Sequence, residues 1–158
     1  MAVDVFLKIG DIKGESKDSK HPGEIDVLSW SWGVAQTGSM GAGGGGGAGK
    51  AHFQDLSIMH ALDKASPVLM KACATGEHIK EATLVARKAG KGQQDYLIIK
   101  MKDVFITSVA PSGSSEHPME SVGMQFGSID VEYKPQKEDG SLEAGVHFKY
   151  DIKANKEG

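Results

Sequence analysis

Hydrophobic and polar residues alternate one by one along most of this chain, which is the period of β-strands with one buried face. In the segment 26–34, one parity holds two aliphatic residues and both tryptophans of the protein, namely Leu28, Trp30, Trp32 and Val34. The pattern predicts that this parity packs in an apolar core and that Ser29 and Ser31, on the other parity, meet water. The further segments predicted as strands are 3–9, 51–58, 78–88, 94–109, 119–133 and 146–152.

Two of the long predicted strands carry information beyond their period. In 119–133 the apolar parity changes at Gly127-Ser128, which predicts a bulge or a sharp bend there. In 94–109, Lys100 and Lys102 lie on one face, and the other face holds Leu97, Ile99, Met101, Phe105 and Val109. The glycine-containing segment 89–92 is predicted to be a hairpin turn.

One helix is predicted, with Ser66 as its N-cap, Pro67 at its first position and Gly76 at its end. A helix of roughly ten residues is too short to be stable alone, so we expect it to pack on the strands through Leu69, Ala72 and Cys73. Several alternating strands, one short helix and no βαβ rhythm predict a mainly β fold. We expect an antiparallel β-barrel or two packed sheets with the helix at the side.

An extended glycine-rich loop, residues 38–50, follows the tryptophan-containing segment and contains eight glycines. Because glycine has no side chain to bury, such a loop gains little apolar contact within its own domain. We interpret it either as a flexible linker or as a segment that another surface holds.

Composition narrows the classes of protein. A chain of 158 residues is expected to form a single domain, 1–158, in which 154–158 is a polar tail. The net charge of −3 and the scattered lysines argue against nucleic acid as a partner. One cysteine excludes an intrachain disulfide, and we expect neither a signal peptide nor a membrane insertion from this sequence.

No constellation of residues predicts catalysis, a cofactor or a metal. Residues 44–50 fit the spacing of a phosphate-binding loop, but Ala51 stands where Ser or Thr is needed, and a strand pattern follows instead of a helix. Cys73 is interpreted as a buried structural thiol. The histidines lack the spacing of metal ligands, and they are His21, His52, His60, His78, His117 and His147.

Several segments form a more specific pattern when they are taken in order. They are AVDVFLKIGDIKGES at 2–16, EIDVLSWSWG at 24–33, a loop ending GAGK at 41–50, SPVLM at 66–70, RKAG at 87–90 and YKPQK at 133–137. Together they resemble the Hcp family (haemolysin-coregulated proteins), and the resemblance covers essentially the whole chain.

The resemblance implies a structural subunit of the bacterial type VI secretion system. Six such subunits form a ring, and rings stack into a tube inside a contractile sheath. Contraction drives the tube, tipped by a VgrG spike, into a target cell, and the lumen carries effector proteins. The implied localisation is the bacterial cytoplasm, followed by secretion through this system.

The resemblance also gives the residues a role. The glycine-rich loop is expected to contact a neighbouring copy through Gly38, Met40, Gly43, Gly45, Gly47, Gly49 and Lys50. The lumen and its cargo are expected to meet Ser29, Ser31, Lys100 and Lys102. The alternative is a monomeric β-sandwich that binds a ligand such as a carbohydrate, with the glycine-rich loop as a lid.

Overall fold

The computed structural model describes residues 3–38, 48–88, 93–114 and 116–158. Within these ranges the chain forms eleven strands and one helix. The strands are β1 (Val3–Ile9), β2 (Ile25–Val27), β3 (Ser29–Ser31), β4 (Val34–Gly38), β5 (Ala48–Phe53), β6 (Leu56–Ala61), β7 (His78–Lys88), β8 (Asp95–Ser112), β9 (Met119–Tyr133), β10 (Val146–Asp151) and β11 (Lys156–Glu157), and the helix is α1 (Ala65–Thr75). The predicted turn at 89–92 lies outside the described residues.

The described strands pair antiparallel, as predicted for a mainly β fold. The main sheet runs β11-β10-β9-β8-β7-β1-β2, and β9 also pairs with β6, which pairs with β3. This branching arises because residues 119–124 of β9 pair with β6 and residues 128–133 pair with β10. Strands β4 and β5 form a separate two-stranded sheet. The pairing of the described strands does not by itself close a barrel.

One core lies under the main sheet, and α1 packs against β8 at its side. Strands β1, β2, β6, β7, β8 and β9 and the helix all supply side chains to it. Its most deeply buried members are Leu7, Ile9, Ile25, Leu56, Leu69, Leu84, Ile99, Met101 and Met124.

The predicted strand 26–34 is interrupted at Leu28. Strand β2 pairs with β1, whereas the Leu28 N–H donates to the carbonyl oxygen of Met59 (2.8 Å) and β3 pairs with β6. Because the strand is interrupted, Val27 is buried and Leu28 is 65% exposed. The prediction that Leu28 and Val34 pack in the core is wrong, since both are exposed.

The two tryptophans of that segment, Trp30 and Trp32, are half-buried against the core, as their parity predicted. The predicted strand 51–58 is likewise divided, between β5 and β6. The polar tail predicted at 154–158 is not free of structure, because β11 within it pairs with Tyr150 and Asp151 of β10.

Strands β8 and β9 reverse their faces at the same level of the sheet. In β8 the buried residues are Ile99 and Met101, followed by Val104. In β9 they are Phe126 and, after the reversal, Ile129. The change of face predicted at Gly127-Ser128 is therefore present, as a bend within a continuous register.

The reversal in β8 was not predicted, and it centres on Asp103, whose φ of 53° lies in the left-handed region. For this reason Phe105 does not share the buried face of Met101, which corrects the predicted face of 94–109. Opposite lies Gly127, where an added Cβ would be 3.1 Å from the Cβ of Asp103. Lys153 lies beside Asp103, and its Nζ donates a hydrogen bond to Oδ2 of Asp103 (2.9 Å). This bond lowers the pKa of the Asp103 carboxyl.

Helix α1 begins at Ala65, two residues before the predicted first position at Pro67, and Ser66 is not its N-cap. The Ser66 Oγ instead accepts the N–H of Asp63 (3.1 Å), and Oδ1 of Asp63 accepts the N–H of Ala65 (2.9 Å). The predicted end is confirmed, since Gly76 has a φ of 66°, which glycine adopts without strain.

The connection between β1 and β2 includes a strap (residues 14–24) that a buried arginine holds. Arg87 of β7 is buried, and its guanidinium donates to both carboxylate oxygens of Asp18 and to Oδ2 of Asp4. The hydrogen bonds from Arg87 hold the pKa of Asp18 well below its ordinary value. Asp18 in turn accepts the backbone N–H groups of Lys20 (2.9 Å) and His21 (3.1 Å).

We expect Gly127→Ala to lower the free energy of unfolding by about 1–3 kcal/mol, because the new methyl group would force Asp103 and Lys153 to move. Gly113→Ala is the matched control, since an added Cβ there meets nothing within 4 Å. Urea unfolding measures both variants. Equal stabilities of the two variants would contradict the role given to Gly127.

Candidate assembly surface

Strands β4 and β5 form a hairpin whose described stem is paired within the chain. The pairs run from Val34 with Phe53 to Gly38 with Ala48. The interpretation that nothing inside the chain holds this segment is therefore wrong for the stem. Among the described strands, β4 and β5 pair only with each other, so both outer edges of the hairpin have unpaired backbone groups.

The predicted interface residues of the glycine-rich loop divide into two groups. Three of them lie in the stem, namely Gly38, Gly49 and Lys50. The Lys50 side chain is exposed. The other four lie outside the described residues, and they are Met40, Gly43, Gly45 and Gly47.

Four aromatic rings attach the base of the hairpin to β10. Phe53 is central, with ring centroids 6.4 Å from Trp32, 6.5 Å from Phe148 and 5.2 Å from Tyr150. Packing of this kind adds about 0.5–1.5 kcal/mol per pair beyond the area that it buries. An isolated two-stranded hairpin is marginal in water, so we infer that this aromatic cluster fixes the hairpin on the domain.

Beside this cluster, the core-facing side of the sheet extends past the core. Val146 is paired with Tyr133, and both side chains lie on the same face of the sheet as the buried Ile99. Val146 is nevertheless 66% exposed and Tyr133 is 51% exposed. Phe148, on that face too, is 38% exposed. We call Tyr133, Val146 and Phe148 the apolar patch. Contiguous exposed apolar residues of this kind are typical of protein–protein contacts.

The predicted lumen residues Ser29 and Ser31 are exposed on β3. Through the register they share a face with Ser57 and Met59 of β6 and with Ser121 of β9. We call these five residues the hydroxyl face. None of them carries a formal charge, and a protein docked on them would have to hydrogen-bond the serine hydroxyls that it covers.

Lys100 and Lys102 are exposed in a different environment. Lys100 lies between Thr83 and Asp130 in the register, and Lys102 lies between Glu81 and Ser128. Each of these two lysines therefore has an acidic neighbour on an adjacent strand. Together the lysines and their neighbours form a charged face across β7, β8 and β9.

The structure does not bring the two predicted lumen groups together in one register row. Across the strand pairings, Ser31 is level with Ser57 of β6 and with Gly123 of β9. Lys102 is level with Ser128 of β9. Those positions are separated by roughly 16 Å of strand at 3.3 Å per residue. The sequence pattern assigned both groups to outward faces, but it does not determine how far apart two strands place them.

Sequence reasoning missed the aromatic cluster and the apolar patch. The alternation of 146–152 predicts a strand, and alternation does not show where a core ends. The sequence around the apolar patch contains no signal of this exposure, because His147, Lys149 and Asp151 alternate with the patch residues of β10 as they would in a half-buried strand.

Within the described ranges, no group of three or more His, Cys, Asp or Glu side chains is placed to hold a metal ion. The described part of the chain also contains no helix with the length and apolar character needed to cross a membrane.

Comparison with known proteins identifies the family. Residues 6–133 match the family described as "Type VI secretion system effector, Hcp". Protein hcp1 of Pseudomonas aeruginosa is 51% identical over 159 residues, which is 98% of this chain and 98% of that protein. A crystal structure of Hcp1 from Salmonella typhimurium is 42% identical, with a TM-score of 0.83 over 100% of both chains.

A type VI secretion system effector from Yersinia pestis is 37% identical, with a TM-score of 0.78 over 94% of this chain and 100% of that one. The fold and these similarities define a type VI secretion system protein. The chain belongs to the Hcp family, which confirms the family expected from its sequence.

We expect Phe53→Ala to release the hairpin, because the ring that joins Trp32 to β10 is lost. The expected result is faster hydrogen exchange in β4 and β5 and a red-shifted tryptophan emission, with about 2 kcal/mol lost in global stability for a half-buried ring. Phe105→Ala is the control, since Phe105 is also half-buried but contacts His78 instead. Unchanged exchange in the hairpin of Phe53→Ala would refute this anchoring.

Proposed function

We propose that this chain is the structural subunit of the type VI secretion tube and not an enzyme. Six copies form a ring, rings stack inside the contractile sheath, and the assembled tube is exported under a VgrG spike. The observation that carries the proposal is membership of the Hcp family over nearly the whole chain.

The apolar patch and the hairpin support self-association. The side chains of the apolar patch are far more exposed than those of the core. The patch lies next to a hairpin whose outer edges have unpaired backbone groups. In a ring, each copy presents one surface to one neighbour and a different surface to the other. We infer that the patch and the hairpin belong to this ring contact, to which the glycine-rich loop adds its backbone groups.

The hydroxyl face supports the carriage of effector proteins. In this proposal Ser29 and Ser31 line the lumen, where hydroxyl groups exchange hydrogen bonds readily between water and cargo. Lys100 and Lys102 are proposed as a second, charged section of the same lining.

We expect Val146→Glu to prevent ring formation while the free energy of unfolding changes by less than about 0.5 kcal/mol, because this side chain is exposed in the single chain. Val68→Glu, the same change at an exposed valine of α1, is the control and should retain rings. Size-exclusion chromatography with light scattering measures the mass against six times 16.7 kDa. A wild-type protein that stays monomeric at high concentration would favour the ligand-binding alternative.

We expect Ser31→Trp to weaken the retention of an effector from the same secretion system by about tenfold, because the indole occupies the space that the cargo needs. Rings should still form. Ser114→Trp, the same change in the exposed loop before β9, is the control. Cargo retained equally by both variants would argue against the hydroxyl face as a cargo surface.

A further inference from the structure

A histidine and a glutamate face each other inside the core, where β6 pairs with β9. His60 and Glu120 are both fully buried, and they lie directly opposite each other in the register. Nε2 of His60 is 2.9 Å from Oε1 of Glu120, so the two side chains are hydrogen-bonded. Nδ1 of His60 is 3.8 Å from Oδ2 of Asp63, beyond hydrogen-bond distance, and Oε2 of Glu120 has no hydrogen-bond partner among the described residues. Such a pair stabilises a fold less than well-packed apolar residues do, which raises the question of what else it does.

The other buried side chains of these two strands do not determine how the strands align. Leu56 lies opposite Met124, and Ile58 lies opposite Val122. A shift of β6 by two residues along β9 would keep every side chain on its own face, because the side-chain period of a strand is two. In one such shift Leu56 would lie opposite Val122, which again places one apolar residue against another.

The outer side of the same strands does not determine the alignment either. It belongs to the hydroxyl face, where Ser57, Met59 and Ser121 carry no charge. Strands β8 and β9 differ in this respect, because their register places Lys100 opposite Asp130, and opposite charges favour that pairing. A strand pair without such markers on its faces is prone to slippage.

We propose that the hydrogen-bonded pair of His60 and Glu120 is a register lock, which selects one alignment of β6 on β9. After a two-residue shift, Glu120 would lie opposite Ile58 and His60 would lie opposite Pro118. Both buried polar groups would then lose their partner, which is far more costly than exchanging apolar neighbours. The apolar residues therefore stabilise either alignment, and the register lock excludes the shifted one.

The register lock also positions β3, because this strand pairs with β6. Ser29 pairs with Met59, and Ser31 pairs with Ser57. The alignment of β6 therefore decides where the serines of β3 lie relative to β9. The register lock acts within the single chain, so it can hold or fail independently of the proposed function in secretion.

Disulfide trapping on the full chain tests the register lock, in a Cys73→Ala background that contains no other thiol. Met59→Cys combined with Ser121→Cys reports the native register, in which these two residues are paired. Met59→Cys combined with Met119→Cys reports the shifted register. In the native register residues 59 and 119 are diagonal neighbours, which are too far apart for an unstrained disulfide.

We expect His60→Leu combined with Glu120→Leu to raise the ratio of shifted to native disulfide by about a hundredfold, because the penalty for separating the buried pair is gone. Ile58→Val combined with Val122→Ile is the matched control. It exchanges two apolar side chains on the same strands and should leave the native disulfide alone.

A second variant decides the question if the double leucine substitution prevents folding. Ile58→His combined with His60→Ile places a histidine opposite Glu120 only in the shifted register, so the shifted disulfide should then predominate. The native disulfide alone in either of these two variants, or a failure of both to fold, would overturn the register lock.

Discussion

The structure depends on one shared bend, where β8 and β9 reverse their faces opposite each other. These are the longest strands, and each places side chains in the core on both sides of the bend. A strand that kept one parity would send half of these side chains into water. Because Gly127 lacks a side chain, Asp103 can take its left-handed conformation directly opposite. The bend thus allows β9 to pair with β6 on one half and with β10 on the other.

Much of the fold follows from local patterns in the sequence. Strands β1, β7 and β9 have the predicted bounds, and the end of α1 follows from Gly76. These features depend on the alternation of apolar and polar residues and on the backbone preferences of single residues, both of which can be read from a short stretch of sequence. The interruption at Leu28 and the reversal at Asp103 depend instead on which strands lie alongside, and a single strand pattern does not contain that information.

The candidate site was predicted less completely, for a related reason. Alternation correctly placed Ser29, Ser31, Lys100 and Lys102 on exposed faces, but it could not separate an uncharged surface from a charged one several residues away. Burial of Arg87 under the strap was equally invisible, because an arginine in a strand is expected to face water. Local patterns do not indicate what the chain does. Membership of the Hcp family indicates its class, because the match extends over most of the chain.

The break at Leu28 has a mechanical meaning. Two short strands separated by a single residue belong to different neighbours, so β1 and β6 are connected through one backbone joint as well as through the core. A pull between β1 and β6 passes in series through the β1–β2 ladder, the backbone at Leu28 and the β3–β6 ladder, so both ladders carry the load together. Neither short strand can therefore slip along its neighbour without pulling on the other, and the two parts of the sheet are mechanically coupled at this joint.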